Sequence, residues 1–242
     1  MNIVLLTTGD DLMSSIFWAE FKKRRGIPIT KIVVLPDRAD VGFQKWAGPI
    51  PFLWLLGLAG TLRLLNHKFR STKVLAKDVC DNLVVLETQD SSELTRELKK
   101  SRIDVLISVG APVILKPEIL SLAEKYSLNL HNADIRKFRG HFSTFWEIAT
   151  GEDLVCVTLH EMTEKVDAGI IYDLRCKDKS ELSGFQDVMF WKKKNGGAML
   201  AKALDQLDSS KLLEVADGVS AVEKSSKYYP FPRLRDLFKF NY

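Results

Sequence analysis

The sequence predicts an α/β fold built on a mostly parallel, twisted sheet with helices on both faces. Short, nearly continuous apolar runs such as Ile3-Val4-Leu5-Leu6, Ile32-Val33-Val34-Leu35 and Val105-Leu106-Ile107 read as strands covered on both sides. Stretches of helical character fall between them, giving the strand-helix alternation of crossover units. Polar residues with chemical potential gather where strands end, which suits an open α/β sheet.

Taken in order, Asn2 to Thr7 reads as a strand, Asp10 to Lys23 as a helix, Lys31 to Leu35 as a strand and Asn82 to Thr88 as another. The turn Thr7-Thr8-Gly9-Asp10-Asp11 reads as structural, with its carboxylates placed to cap the helix. Ser91 to Lys100 reads as a helix, Val105 to Val109 as a buried strand, and Lys116-Pro117-Glu118 as a helix start with proline at its first turn. Ser127 to Leu130 reads as extended, Phe142 to Thr150 as a helix, Leu154 to His160 as a strand and Gly169 to Leu174 as its successor. Phe185 to Leu207 reads as a helix and Lys211 to Val215 as a short strand. These elements divide into a core over 1–180, with an apolar insertion near 41–75, and a helical appendage and tail over 181–242.

The insertion holds the chain's oddest stretch. Trp46 to Leu62 contains no charge, two prolines and three glycines, and it precedes the basic, apolar run Arg63 to Arg70. It is too short and too broken for a transmembrane helix of ~20 residues. Packing on the core, on a second copy of the chain or on a membrane surface are the readings it leaves open.

With 46% hydrophobic residues in 242, the chain can bury a sizeable core. Its 35 basic and 31 acidic side chains give a net charge of +4, a mixed surface with no nucleic-acid stripe. Cys80, Cys156 and Cys176 lack metal-site spacing and are expected as reduced thiols, and no histidine spacing supports a metal. Met1 to Leu6 has no basic leader and reads as a first buried strand, so a cytoplasmic location is expected.

The chemistry points to Asn129, His131 and Asp167. In an extended segment Asn129 and His131 leave the same face of the sheet, and a loop carrying Asp167 can approach that strand end. An amide offers N–H donors to an oxygen that gains charge as a carbonyl is attacked. An imidazole moves protons near neutral pH, and a carboxylate beside it is expected to raise its basicity. No side-chain nucleophile is then needed for acyl transfer to an amine. Singly, each residue also has a structural reading: His131 as a hydrogen-bonded strand-end residue, Asn129 as a cap and Asp167-Ala168-Gly169 as turn chemistry.

Their order narrows this. The run from Asn129-Leu130-His131 to Arg139-Gly140, then Phe145-Trp146, Val157-Thr158-Leu159-His160 and Asp167-Ala168-Gly169, closely resembles the folate-dependent formyltransferases, as does Asp104 to Leu115 upstream. The resemblance implies a Rossmann-like fold, 10-formyltetrahydrofolate as formyl donor and an amine as acceptor. It places the catalytic roles on Asn129, His131 and Asp167 and the donor contacts on Val113, Ile114, Leu115 and Val166. A nucleotide-linked amino sugar is the acceptor class expected; a nucleic acid is not expected as partner, and a homodimer and a membrane contact stay open. A tRNA acceptor is not expected, because the stretch after the core is expected to be too short for the extra C-terminal domain of the tRNA-acting members. A formyltetrahydrofolate hydrolase and a non-catalytic folate-binding homologue are the alternatives. Two departures fall on the loop after the histidine, where Asn132 and Lys137-Phe138 stand at positions that the family often fills with proline. The run Tyr228-Tyr229-Pro230-Phe231-Pro232 reads more as a clamp for the tail than as a nucleotide contact.

Overall fold

A computed structural model describes residues 1–9, 13–23, 28–36, 57, 60–62, 75–208, 213–216, 226–233 and 235–236. Seven strands form one sheet in the order β3-β2-β1-β4-β5-β7-β8. They are β1 (Ile3–Thr8), β2 (Lys31–Leu35), β3 (Leu83–Val85), β4 (Ile103–Val109), β5 (Ala123–His131), β7 (Leu154–Glu161) and β8 (Ile171–Asp178). The first five run parallel, while β7 and β8 are antiparallel to their neighbours. A second, two-stranded sheet pairs β6 (Phe138–Gly140) with β9 (Lys227–Tyr229).

The apolar runs are explained by helices on both faces. On one side Ile3, Leu5, Val105, Ile107, Leu128 and Leu130 pack with α1 (Ser14–Lys23) and the C-terminal half of α5 (Phe185–Asp208). On the other, Val4, Leu6, Val33, Leu35 and Leu106 pack with α2 (Ser91–Leu98) and the one-turn α3 (Pro117–Leu120). A third cluster joins α4 (Ser143–Ala149) to Phe138, Val155 and the first turns of α5. Period-2 alternation therefore sends Leu128 and Leu130 to the α1/α5 side and leaves Asn129 and His131 for the opposite one.

Asp90 starts α2 by accepting from the Ser92 N–H at 2.9 Å. In α5, Gly196 and Gly197 allow close approach: a Cβ at 197 would lie 2.5 Å from the Phe17 carbonyl oxygen, and one at 196 would lie 2.6 Å from Leu130 Cδ2. These glycines seat α5 against α1 and beneath the strand that carries the candidate catalytic residues.

Several sequence expectations shift. The strand expected over Asn82 to Thr88 shortens to Leu83–Val85, at the sheet edge. The strand expected from Gly169 starts at Ile171, because Gly169 lies against Glu161, with room for no side chain. Residues 213–216 form no strand, although Ala216 N–H donates to the Ile171 carbonyl at 3.0 Å; Lys211 and Leu212 lie outside the described residues. So do most of Trp46 to Leu62 and all of Arg63 to Arg70. Among the described residues no helix is long and apolar enough to cross a membrane.

The expectation of three reduced thiols is corrected. Cys156 on β7 and Cys176 on β8 stand directly opposite in register, with Cα atoms 4.1 Å apart, and form a disulfide; Cys80 is free and buried. Antiparallel neighbours at such a narrow pair bring their Cβ atoms together, a proximity hidden by a sequence separation of 20.

The Gly197 contact yields a test. Alanine normally improves a helix interior over glycine by about 1 kcal/mol, yet Gly197→Ala is expected to lower stability by about 1–3 kcal/mol, because α5 must move off α1. Thermal unfolding should show a midpoint roughly 2–10 °C lower; an unchanged or raised midpoint would remove the close-packing argument.

Candidate active site

The chain leaves β1 for β2 and β3 on one side of the sheet and returns to β4 and β5 on the other, so the order reverses between β1 and β4. Crevices at the carboxyl ends of strands beside such a reversal are the natural ligand sites of open α/β sheets. A cavity of about 330 Å³ lies there, at the ends of β4 and β5. One flank is the loop Gly110 to Leu115 after β4, with Leu120, Met162 and Val166. The other is Asn132 and the segment Gly140 to Thr144, with Met189 of α5. Asn129, His131, His160 and Asp167 all line the cavity.

Local backbone forces Asp167 into place. It sits in the β7–β8 connection in the left-handed region, φ 49°, a conformation that short polar side chains such as Asp tolerate better than most. Two residues on, a Cβ at Gly169 would lie 2.0 Å from the Glu161 carbonyl oxygen, so the connection closes tightly only with glycine there. Glu161 N–H donates to the Ile170 carbonyl at 2.8 Å and Met162 N–H to the Ser127 carbonyl at 2.7 Å. The turn is thereby tied to both β7 and β5.

The Asp167 carboxylate gathers four groups. Its Oδ2 accepts the Gly140 N–H at 2.8 Å. Its Oδ1 accepts from Asn129 Nδ2 at 3.4 Å and faces His131 Nδ1 at 3.5 Å and His160 Nε2 at 3.6 Å. Proton positions follow from the remaining partners. His160 Nδ1 lies 2.7 Å from the Glu161 carbonyl and must donate to it, so in the neutral ring its Nε2 accepts from Asn129 Nδ2 at 3.1 Å. His131 Nε2 lies 2.9 Å from the Phe138 carbonyl and donates there, so Nδ1 is the basic nitrogen, directed toward Asp167.

Burial pushes the His131 pKa down; the Asp167 charge opposes this and the charges of His160 and Lys192 add to it. As expected, the Asp167 charge favours the protonated form of His131; burial outweighs it, so the net shift is downward. Burial also opposes ionisation of Asp167. The charges of His131 and His160 and the Gly140 N–H together overcome it and hold the carboxyl well below the usual range. The two directions agree: Asp167 titrates in acid, where histidines are cationic, whereas His131 is neutral at pH 7.

The loop after His131, which lacks prolines at 132 and 137–138, is fixed by side chains instead. Thr158 Oγ1 donates to the Ala133 carbonyl at 2.5 Å, and Arg136 forks onto Asp134, with Nη2–Oδ2 at 2.7 Å. Lys192 Nζ donates to the Asn132 carbonyl at 2.7 Å. The loop ends in β6, whose Gly140, at φ 99°, leaves no room for a side chain beneath the Tyr229 carbonyl. Trp146 Nε1 donates to the Pro230 carbonyl at 2.9 Å and Phe142 stacks on Phe231 at 5.5 Å. The tail run thus clamps onto the rim of the cavity.

All seven residues singled out in the sequence, Asn129, His131, Asp167, Val113, Ile114, Leu115 and Val166, line this one cavity. Sequence reasoning gave no role to His160, although its place in the Val157-Thr158-Leu159-His160 run, facing the same side as Thr158, was the available signal. It also missed Glu147 and Lys192. Among the described residues no group of three or more His, Cys, Asp and Glu is arranged to hold a metal ion.

Residues 64–178 match the formyl transferase family. A methionyl-tRNA formyltransferase from Wigglesworthia glossinidia brevipalpis is 32% identical over 113 residues, which make up 45% of this chain and 35% of that protein. An N-formyltransferase from Helicobacter canadensis, solved with folinic acid and dTDP-3-aminofucose, superposes with a TM-score of 0.58 at 17% identity, over 98% of this chain and 72% of the other. Glycinamide ribonucleotide transformylase 1 from Symbiobacterium toebii superposes with a TM-score of 0.60 at 15% identity, over 92% and 93%. At such identities the structural matches establish a common fold, and the chain spans about a third of the length of the curated relative it matches.

The charge state of Asp167 carries a stability test. A carboxyl depressed on folding contributes stability above its ordinary value of 3.8, and the contribution is lost as pH falls through the lower folded value. Asp167→Asn should therefore cost about 1–3 kcal/mol at pH 7. The gap to wild type in urea midpoint should narrow below pH 4; a gap independent of pH would refute the assignment of charge.

Proposed function

We propose that this chain, whose residues 64–178 belong to the formyl transferase family, transfers a formyl group from 10-formyltetrahydrofolate to an amine. One observation carries the reading: a single carboxylate, Asp167, gathers Asn129, His131 and His160 on the wall of a cavity flanked by the apolar loop Val113-Ile114-Leu115. That polarity suits the donor. A flat heteroaromatic ring system fits against Val113, Ile114, Leu115 and Val166, with its formyl group at the polar end.

The acceptor amine approaches from the Gly140–Thr144 side and attacks the formyl carbon. A carbon–nitrogen bond forms and the carbonyl oxygen gains negative charge. Asn129 Nδ2 is the donor positioned for that oxygen, its bond to Asp167 at 3.4 Å being long enough to yield to a better acceptor. His131 takes the amine proton at Nδ1, where Asp167 Oδ1 stabilises the imidazolium. Collapse breaks the bond to N10 of the folate, and that nitrogen recovers a proton from His131. Atoms and charge balance without a covalent enzyme intermediate.

A nucleotide-linked amino sugar is the acceptor class we favour. The Helicobacter canadensis enzyme, of the same fold, was solved with dTDP-3-aminofucose. Here the acceptor flank is rimmed by His141, Phe142 and the exposed ring of Tyr228, which offer stacking surface to a base or sugar.

Incubation with 10-formyltetrahydrofolate and a panel of amino sugars, read by mass spectrometry, should yield a formylated sugar. Formate released without an acceptor would identify a hydrolase, and donor binding without consumption a non-catalytic protein. His131→Ala and Asp167→Asn should each lower kcat by about 10²–10⁴ while the chain stays folded. Because folding lowers the pKa of His131, the acid limb of kcat against pH should fall below the ordinary value of 6.5; a limb above it would exclude His131 as the base.

A further inference from the structure

Behind the cavity lies a charged pair that the proposed mechanism leaves unused. Lys192 on α5 is 0% exposed and Glu147 on α4 is 1% exposed, and the two form a short ion pair. The three Nζ protons of Lys192 meet three acceptors: Glu147 Oε2, the Asn132 carbonyl at 2.7 Å and Thr144 Oγ1 at 3.2 Å. Glu147 Oε1 accepts the Asp134 N–H at 3.3 Å and the Cys156 N–H at 3.1 Å. Both charges are fully satisfied.

Removing two charges from water costs several kcal/mol per ion, and a well-packed apolar pair in their place is often as stable. Stability alone is therefore a poor explanation for this pair. What it fixes is specific: Asn132 follows His131 directly, and Asn132 and Thr144 both line the acceptor flank of the cavity. Through Cys156 and Asp134 the pair also ties β7 and the loop after β5 to α4.

We propose that Lys192 and Glu147 are positioning residues for the acceptor: together they set the flank formed by Asn132 and Thr144 and the orientation of His131. The proposal rests on the formyl-transfer reading. It has an electrostatic side as well, because the Lys192 charge disfavours a proton on His131, which is otherwise faced by Asp167 and His160. Burial pushes the Lys192 pKa down and that of Glu147 up to about 6, with each partner's charge opposing the shift.

Glu147→Gln/Lys192→Met removes both charges at similar volume and avoids leaving one buried ion alone. The folded double variant should lose about tenfold or more in kcat/KM for the acceptor while KM for 10-formyltetrahydrofolate stays within about twofold. Its His131 titration, followed by NMR and assigned by loss of the signal in His131→Gln, should move upward. A purely structural pair would lower the unfolding midpoint and leave kcat/KM unaltered, which would overturn the proposal. If the native chain transfers no formyl group, the activity reading falls separately. The pair is then judged by the titration: upward movement supports it and an unmoved value overturns it.

Discussion

The site depends on the convergence of four groups on one carboxylate. Asp167 belongs to the connection between the antiparallel strands β7 and β8, Asn129 and His131 to the last parallel strand, His160 to β7 beside it, and Gly140 to a separate two-stranded ribbon. None of these elements adjoins all the others through backbone pairing. A negative charge buried among them is tolerated only when surrounded by donors, so its presence constrains the β7–β8 connection, the end of β5 and β6 at once. Moving any one of them strands a charge or an N–H.

Rigid backbone supplies the rest. The left-handed Asp167 and the crowded Gly169 give the β7–β8 connection little freedom, and Gly140 lets the tail strand pass close beneath the loop after His131. α5 closes the structure from behind: Gly196 and Gly197 bring it against β5 and α1, and one turn before them it inserts Lys192 under the loop. The same helix therefore serves the core and the back of the cavity, which explains how a loop without stiffening prolines keeps a fixed shape.

Much of this was legible in the sequence, and the parts that were not share a cause. Buried parallel strands such as β1, β2 and β4 announce themselves as apolar runs, and α5 by its length. Asn129 and His131 share a face by period-2 geometry, but the order of the motifs around them, which resembles the formyltransferases, is what singled them out. Contacts between distant segments were not legible: β6 and β9 are three residues each and lie about 90 positions apart, and Cys156 meets Cys176 only once the β7–β8 register is known. Lys192 stands in the run Lys192-Lys193-Lys194, where residue type alone does not separate a buried lysine from a solvent-facing one. Its distinguishing signal was phase, since it lies four residues after Val188 and four before Gly196, on the stripe that α5 buries. Burial also sets the net direction at His131, where the expected support from Asp167 is present but outweighed, because the cost of charging an enclosed imidazole cannot be read from residue types.

The central claim is that the donor's reacting group lies at the polar end of this cavity, against the side chains gathered by Asp167. A crystal structure of the chain with 5-formyltetrahydrofolate tests it most directly. The account predicts the formyl group within hydrogen-bond reach of Asn129 Nδ2 and beside His131, with the ring system against Val113, Ile114, Leu115 and Val166. A folate bound elsewhere, or one bound here with its formyl group turned away from Asn129 and His131, would contradict it.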